Sequence, residues 1–428
     1  MELVERPVLT WRWLSLLAIG FATAATILTL VRQAGELPVY TTAAERYLRG
    51  EQFYRPDDPP AFTYPPFSVL PFVPLTALPP LLRKTPWWIA NFSLLAGSLW
   101  LLTLMVWPVL RAGVHAGRVR PWVPALAVGL LSGRYLITAL NYQSTDYIVL
   151  FCVVAAGYGL SRSKGLAAGT FAGLATAMKA TPLLFLPLLV WQRRWLATAA
   201  FVVTLIAATL LPDAFVSNPD GKLWSVTWFE RFVSKVDVGA AASAEGAWSS
   251  WNPLNQSLPG TLYRLATPIE TAPERYNVAV AALSPHWIKR LTQLCELAVV
   301  IAIAWCTRPG LSKDDSVGDA SLRRLGETGA AICGMLLLSP MTSTQHLCGL
   351  CVPMTYCVVQ WLYVRRTVAL SIVLGMLTLM ALCGGKDIVG HTIADWTQAA
   401  GVDTLATLAC LVGCATSLIR RERRGATP

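Results

Sequence analysis

Residues 67–82 read FSVLPFVPLTALPPLL, an apolar run interrupted by Pro71, Pro74, Pro79 and Pro80. A membrane span takes about 20 apolar residues in one helix, and proline inside a helix removes a backbone hydrogen bond and clashes with the preceding turn. The run is therefore read as re-entrant, entering the membrane and returning to the face it left. That reading sets the side on which every later loop lies.

Working outward from it, twelve further apolar runs cover residues 13–31, 87–110, 122–140, 147–160, 165–178, 182–191, 195–211, 291–305, 328–338, 347–364, 367–383 and 402–419. Of the 428 residues 54% are hydrophobic and only 14% charged, where soluble domains carry about 25% charged. A water-soluble globule is excluded. The expected fold is all-α: a polytopic transmembrane helix bundle of about 12 spans forming one domain over residues 1–428. Two long outer segments, 32–86 and 212–290, interrupt it. The 17 Trp suit membrane interfaces and the 28 Pro suit broken helices packed among neighbours. The first run lacks a small-residue cleavage site and reads as an uncleaved anchor.

With the proline-rich run re-entrant, one side of the membrane collects 19 basic residues, including Arg111, Arg118, Arg162, Arg193, Arg323, Arg365 and Arg420, against seven acidic ones. The other side holds 15 of each sign. By the positive-inside rule the basic side is the cytoplasm, which also takes both termini of a cell-membrane protein. The net charge of +11 is thus a topological signal and not a nucleic-acid footprint. The stretch 308–327, rich in Ser, Asp and Gly, reads as a solvated connector. All ten cysteines lie in or beside apolar runs; Cys348 and Cys351, three apart, share a helix face and read as packing residues.

The unusual polar residues then fall on the outer face. Glu36 follows the first span, and 40–49 reads as an amphipathic interfacial helix ending at Gly50; Tyr54, Asp57, Asp58 and Tyr64 come next. Later outer turns carry Asn141, Gln143 and Asp146, then Lys179, then Asn255 and Gln256, then Gln345 and His346, then Lys386, Asp387 and His391. Asp57 and Asp58 sit in a proline-rich turn, where Asp commonly bonds its own backbone. Lys179 either snorkels from a helix end or meets a phosphate. Arg134, inside a span, implies a polar cavity, with phosphate and Asp146 as its two candidate partners. Polar groups at one membrane surface suit an enzyme acting on a membrane-borne substrate. The alternative is a lipid or solute transporter with no catalytic role, which would gather them near mid-membrane. There is no phosphate loop, HExxH, dinucleotide fingerprint or GxSxG elbow.

Several segments resemble one family. Glu36 with the following ValTyr, the short helix, Gly50, Tyr54 and Tyr64ProPro, together with MetLysAlaThrProLeuLeu at 178–184, AsnGlnSerLeu at 255–258 and LeuSerProMet at 338–341 leading to His346, resemble glycosyltransferase family 87. These are polytopic GT-C enzymes of the alpha-mannosyltransferase group that use polyprenyl-phosphate sugars. Where that family opens its first loop motif with Asp this chain has Glu36, and the family's Gly-Gln pair stands here as Tyr142 and Gln143. The resemblance implies transfer of a hexose, mannose in the family, from a polyprenyl-phosphate donor to a lipid-linked or glycan acceptor on the extracytoplasmic face, inverting and with no metal or other cofactor. It implies Glu36 as the base. Lys179 and His346, with Arg134 and Gln143, would meet the phosphate, and Tyr64, Asn141, Asn255 and Gln256 complete the candidate substrate-binding set. Trp224, Trp228, Trp248 and Trp251 are acceptor platforms or interface anchors.

Overall fold

The computed structural model describes residues 35–425, apart from 59, 116–118, 121, 241–250, 269–276 and 310–316, together with Thr23, Ile27 and Val31. The expected first span and N-terminus thus lie almost wholly outside the described residues. Among the described residues all regular structure is helical. The eleven other expected runs all fall on helices: Lys84–His115, Trp122–Tyr142, Asp146–Ser161, Gly165–Met178, Phe185–Trp191, Trp195–Phe215, Pro285–Cys306, Val317–Leu337, Cys351–Val359, Val368–Cys383 and Val402–Gly425. Five stretches are long and apolar enough to cross a membrane: Pro80–Gly113, Trp122–Tyr142, Trp195–Phe215, Thr344–Val364 and Val402–Ile419. A bent pair, Val368–Cys383 with Ile388–Ala399, makes a sixth if counted as one span, while Asp146–Ser161, Gly165–Met178 and Thr181–Trp191 are shorter apolar helices.

The proline-rich run breaks into short helical pieces, Pro66–Phe72, Val73–Thr76 and Pro80–Arg83. Its longest continuous helical stretch, Pro66–Thr76, spans roughly 16–22 Å at the rises of α- and 3-10 helices, short of the ~30 Å hydrocarbon core. It packs instead on the amphipathic helix Leu37–Leu48, with the Tyr40 and Phe72 rings stacked at 4.5 Å.

Two cores result. The larger fills the bundle, and close approach helps to build it: Gly169 and Gly173 lie against the carbonyl oxygens of Ala197 and Phe201, where an added Cβ would come within 2.1 and 2.7 Å. Small residues four apart let the helices Gly165–Met178 and Trp195–Phe215 touch backbone to backbone, the mode by which helices associate in lipid. The smaller core is aromatic and sits over one end of the bundle, uniting Tyr40, Tyr47, Phe53, Tyr54, Phe62, Phe72, Trp87 and Trp224. The basic loops collect at the other end. Tyr363 donates to the carbonyls of Val119 and Arg120, and Gln192 reaches Thr307 and Glu327. One expectation is corrected here. The part of 308–327 that is described is not a solvated connector, because the helix begins at Val317 and buries Arg323, Arg324 and Glu327.

Candidate functional site

The site lies at the seam between the aromatic cap and the bundle end. Gly35, at φ +53, lets the chain pass so close to the carbonyls of Tyr142 and Asn141 that an added Cβ would stand 2.5 Å from the Tyr142 oxygen. Glu36 N–H donates to that same oxygen at 2.8 Å, anchoring Glu36 directly before the helix Leu37–Leu48. Among the described residues its carboxylate meets only neutral donors. Gln345 Nε2 donates to Oε1 at 2.9 Å, and the Tyr40 and Tyr64 hydroxyls donate to Oε2 at 3.3 and 3.4 Å. Burial, and after it the nearby charge of Asp146, push the Glu36 carboxyl up to about 7, against the pull of Lys179 and the two tyrosines.

Beside it, Asp146 opens the helix Asp146–Ser161 and is buried. It accepts from Lys179 Nζ at 2.7 Å and from Ser144 Oγ at 2.6 Å. Lys179 stands in extended backbone at the end of the helix Gly165–Met178, its ammonium 5.8 Å from the centre of the Tyr64 ring. His346 Nδ1 accepts from the Ser343 N–H at 3.1 Å, so the neutral ring carries its proton on Nε2. Asp146, Lys179, Thr181, Ser339, Thr342 and His346 form the polar lining of a cavity whose other walls include Val149, Leu150, Val153, Ile332 and Met335. Its volume is about 40 Å³, room for roughly three water-sized groups.

Of the residues singled out in the sequence, Glu36, Tyr64, Lys179 and His346 come together here. Arg134 pairs with Asp403, at 2.9 Å, and not with Asp146, whose cation is Lys179. Gln143 sits at φ +54 and accepts the Trp87 indole N–H at its carbonyl, while Asn141 contributes its carbonyl to the Gly35 approach. Asn255 and Gln256 are buried and hold Thr342: Asn255 Oδ1 accepts the Thr342 N–H at 3.3 Å, and the Gln256 N–H donates to the Thr342 carbonyl at 2.6 Å. Asp58 is held by Arg46 on the flank of the cap. Trp224 is fully buried among aromatic rings and offers no platform; Trp228 donates to the Thr63 carbonyl, Trp251 is exposed, and Trp248 lies outside the described residues. Asp403 escaped sequence reading because it lies at the head of an apolar run, and its partner Arg134 is 269 residues away.

A helical bundle with several membrane-length apolar helices defines a multi-pass membrane protein, and a carboxylate–ammonium–imidazole cluster stands at one end of the bundle. Residues 62–340 match the model of glycosyltransferase family 87, and the chain belongs to that family. It is a membrane glycosyltransferase with donor and acceptor substrates, which removes the reading of a transporter without catalysis. No curated protein and no solved structure matches the chain. Tyr64, Asp146 and Lys179 lie within the matched span; Glu36, Gln345, His346 and Asp403 lie outside it.

Proposed function

We propose that this glycosyltransferase moves a hexose, mannose on the family resemblance, from a polyprenyl-phosphate sugar to a lipid-linked or glycan acceptor, with inversion and at the extracytoplasmic face of the cell membrane. The observation that carries the proposal is the pairing of Glu36, a part-buried carboxylate whose hydrogen bonds come from Gln345, Tyr40 and Tyr64, with an adjoining cavity that carries the Lys179–Asp146 pair and His346 at one side and apolar residues on its other walls.

The chemistry runs in one displacement. Glu36 takes the acceptor hydroxyl proton as the acceptor oxygen attacks the anomeric carbon, and the bond from that carbon to the phosphate oxygen breaks with its electron pair leaving on polyprenyl phosphate. A base whose proton affinity lies near neutrality is well matched to this transfer. Lys179, with N–H bonds left over beyond the one to Asp146, and His346 Nε2–H meet the charge that grows on the leaving phosphate. Asp146 holds the ammonium in place, and Tyr64 spans the two halves by touching both Glu36 and Lys179. A monophosphate leaving group met this way needs no metal. The extracytoplasmic assignment rests on the basic loops gathering at the bundle end opposite Glu36, with the proline-rich run returning to the face it left.

Purified protein in detergent, given radiolabelled mannosyl polyprenyl phosphate and a lipid extract of the producing membrane, is expected to move label to an acceptor lipid or glycan. The product should have the opposite anomeric configuration, and a chelator should leave the rate unchanged. Transfer from a nucleotide sugar, with none from the lipid-phosphate sugar, would overturn the proposal.

A further inference from the structure

Three consecutive residues of the helical turn Thr344–Leu350 reach three different parts of the molecule. Thr344 Oγ1 donates to Asp403 Oδ2 at 3.3 Å, Gln345 Nε2 donates to Glu36 Oε1 at 2.9 Å, and His346 lines the cavity with Asp146 and Lys179. Asp403 is wholly buried, and it accepts also from Arg134 at 2.9 Å and from the Tyr135 hydroxyl at 3.1 Å. Gln398 Nε2 donates to Thr344 Oγ1 at 3.1 Å, so the same hydroxyl is held from two sides.

Stability alone is a weak reason for such a network, since a buried ion pair is often no more stabilising than well-packed apolar residues of the same volume. Its value is directional. It ties one turn to the helices Trp122–Tyr142 and Val402–Gly425, and that turn presents one amide to one carboxylate oxygen. We propose that Gln345 is a positioning residue for the Glu36 carboxylate, and that the Arg134–Asp403 pair holds Gln345 there through Thr344. The inference rests on the reading of Glu36 as the base. Gln345 occupies Oε1 with the shortest of the three hydrogen bonds, which leaves Oε2, whose two tyrosine donors stand at 3.3 and 3.4 Å, to meet the acceptor hydroxyl. A neutral donor fixes the carboxylate's direction without lowering its proton affinity as far as a guanidinium at that distance would. The charged and titratable groups facing Glu36 are Asp146 and Lys179 from the bundle, Tyr40 from its own helix and Tyr64 from the proline-rich segment.

The test reads the protonation of Glu36 without substrate. A hydrophobic carbodiimide modifies protonated carboxyls, so its labelling of the Glu36 peptide in the purified full chain, followed by mass spectrometry across pH, yields a midpoint. Gln345→Leu removes a donor to the charged form and should move that midpoint upward by about one pH unit, with the acid limb of kcat/KM moving alongside. Thr344→Val leaves the Arg134–Asp403 pair intact and should shift the midpoint the same way by less. The double variant should move no further than Gln345→Leu, because both changes act on one hydrogen bond. An unmoved midpoint in Gln345→Leu, or shifts that add in the double variant, would overturn the proposal. Full turnover in Glu36→Gln would instead sink the reading of Glu36 as base while leaving the midpoints as measured, so the two failures are distinguishable.

Discussion

Glu36 and Glu327 stand at opposite ends of the bundle, and their partners differ in kind. Glu327, buried among the basic loops, accepts from the Arg324 guanidinium and from Gln192 Nε2, and Gln192 in turn accepts from Arg324 and donates to the Thr307 carbonyl. Glu36 accepts from an amide and two phenols, and the nearby cation Lys179 is hydrogen-bonded to Asp146. A carboxylate bonded to a guanidinium serves as a strut. One bonded to neutral donors keeps its direction while remaining free to take a proton. The difference separates structural charge from reactive charge without appeal to motif.

The comparison breaks most readily at Glu36. Glu36→Gln preserves size and hydrogen bonding but removes the proton acceptor, so turnover should fall by about two to four orders of magnitude with helical content unchanged; Glu36→Asp, which keeps the carboxylate and shortens its reach by one methylene, should keep partial activity. Turnover of Glu36→Gln near that of wild type would mean the base is elsewhere. At the other end, Arg324→Ala strands Glu327 in the bundle and should cost about 3–5 kcal/mol of stability. A lowered thermal midpoint with unchanged turnover per folded molecule is expected, and a thermal midpoint equal to that of wild type would show that the strut is dispensable.

Smaller effects sharpen the contrast within the site. Lys179→Met and His346→Ala should each weaken donor use by roughly ten- to a hundredfold in kcat/KM, the scale of a charge-assisted hydrogen bond worth about 1.5–3 kcal/mol, with acceptor KM little changed. Equal loss toward donor and acceptor would point to misfolding of the seam. Smallest of all is Asp58→Asn, which removes the partner of Arg46 at the cap's edge. Partly exposed ion pairs contribute about 0–1 kcal/mol, so both thermal midpoint and turnover should stay close to wild type, and a large loss of turnover would bring that flank into the site.

Much of the fold was legible because apolar runs in a membrane protein announce their helices directly. The runs at 165–178 and 182–191 met helical segments almost to the residue, and the amphipathic helix expected to end at Gly50 ends one turn residue before it. The first part of the helix Val317–Leu337, ahead of the expected run 328–338, was missed because its buried Arg323, Arg324 and Glu327 read as solvent-facing charge, and the Arg324–Glu327 pair helps to make that burial tolerable. In the candidate site, Glu36, Tyr64, Lys179 and His346 were legible as polar residues stranded at the ends of apolar runs. Asp146 as the partner of Lys179, and Asp403 as the partner of Arg134, were not, since long-range pairing leaves no mark on local periodicity. Asn255 and Gln256 drew notice as a polar motif, yet their hydrogen bonds go to the backbone of the segment that leads into His346.

The central claim, that Glu36 accepts the acceptor's proton, is tested most directly by the pH dependence of sugar transfer. Burial and the neighbouring Asp146 raise this carboxyl to about 7, so it is protonated and inactive as a base below that pH and ionised above it. In the free enzyme kcat/KM should therefore rise about tenfold per pH unit on the acid side, bend near pH 7 and level off above. An acid limb bending near 4.3, where an ordinary glutamate titrates, or a profile flat from pH 5 to 8, would contradict the account.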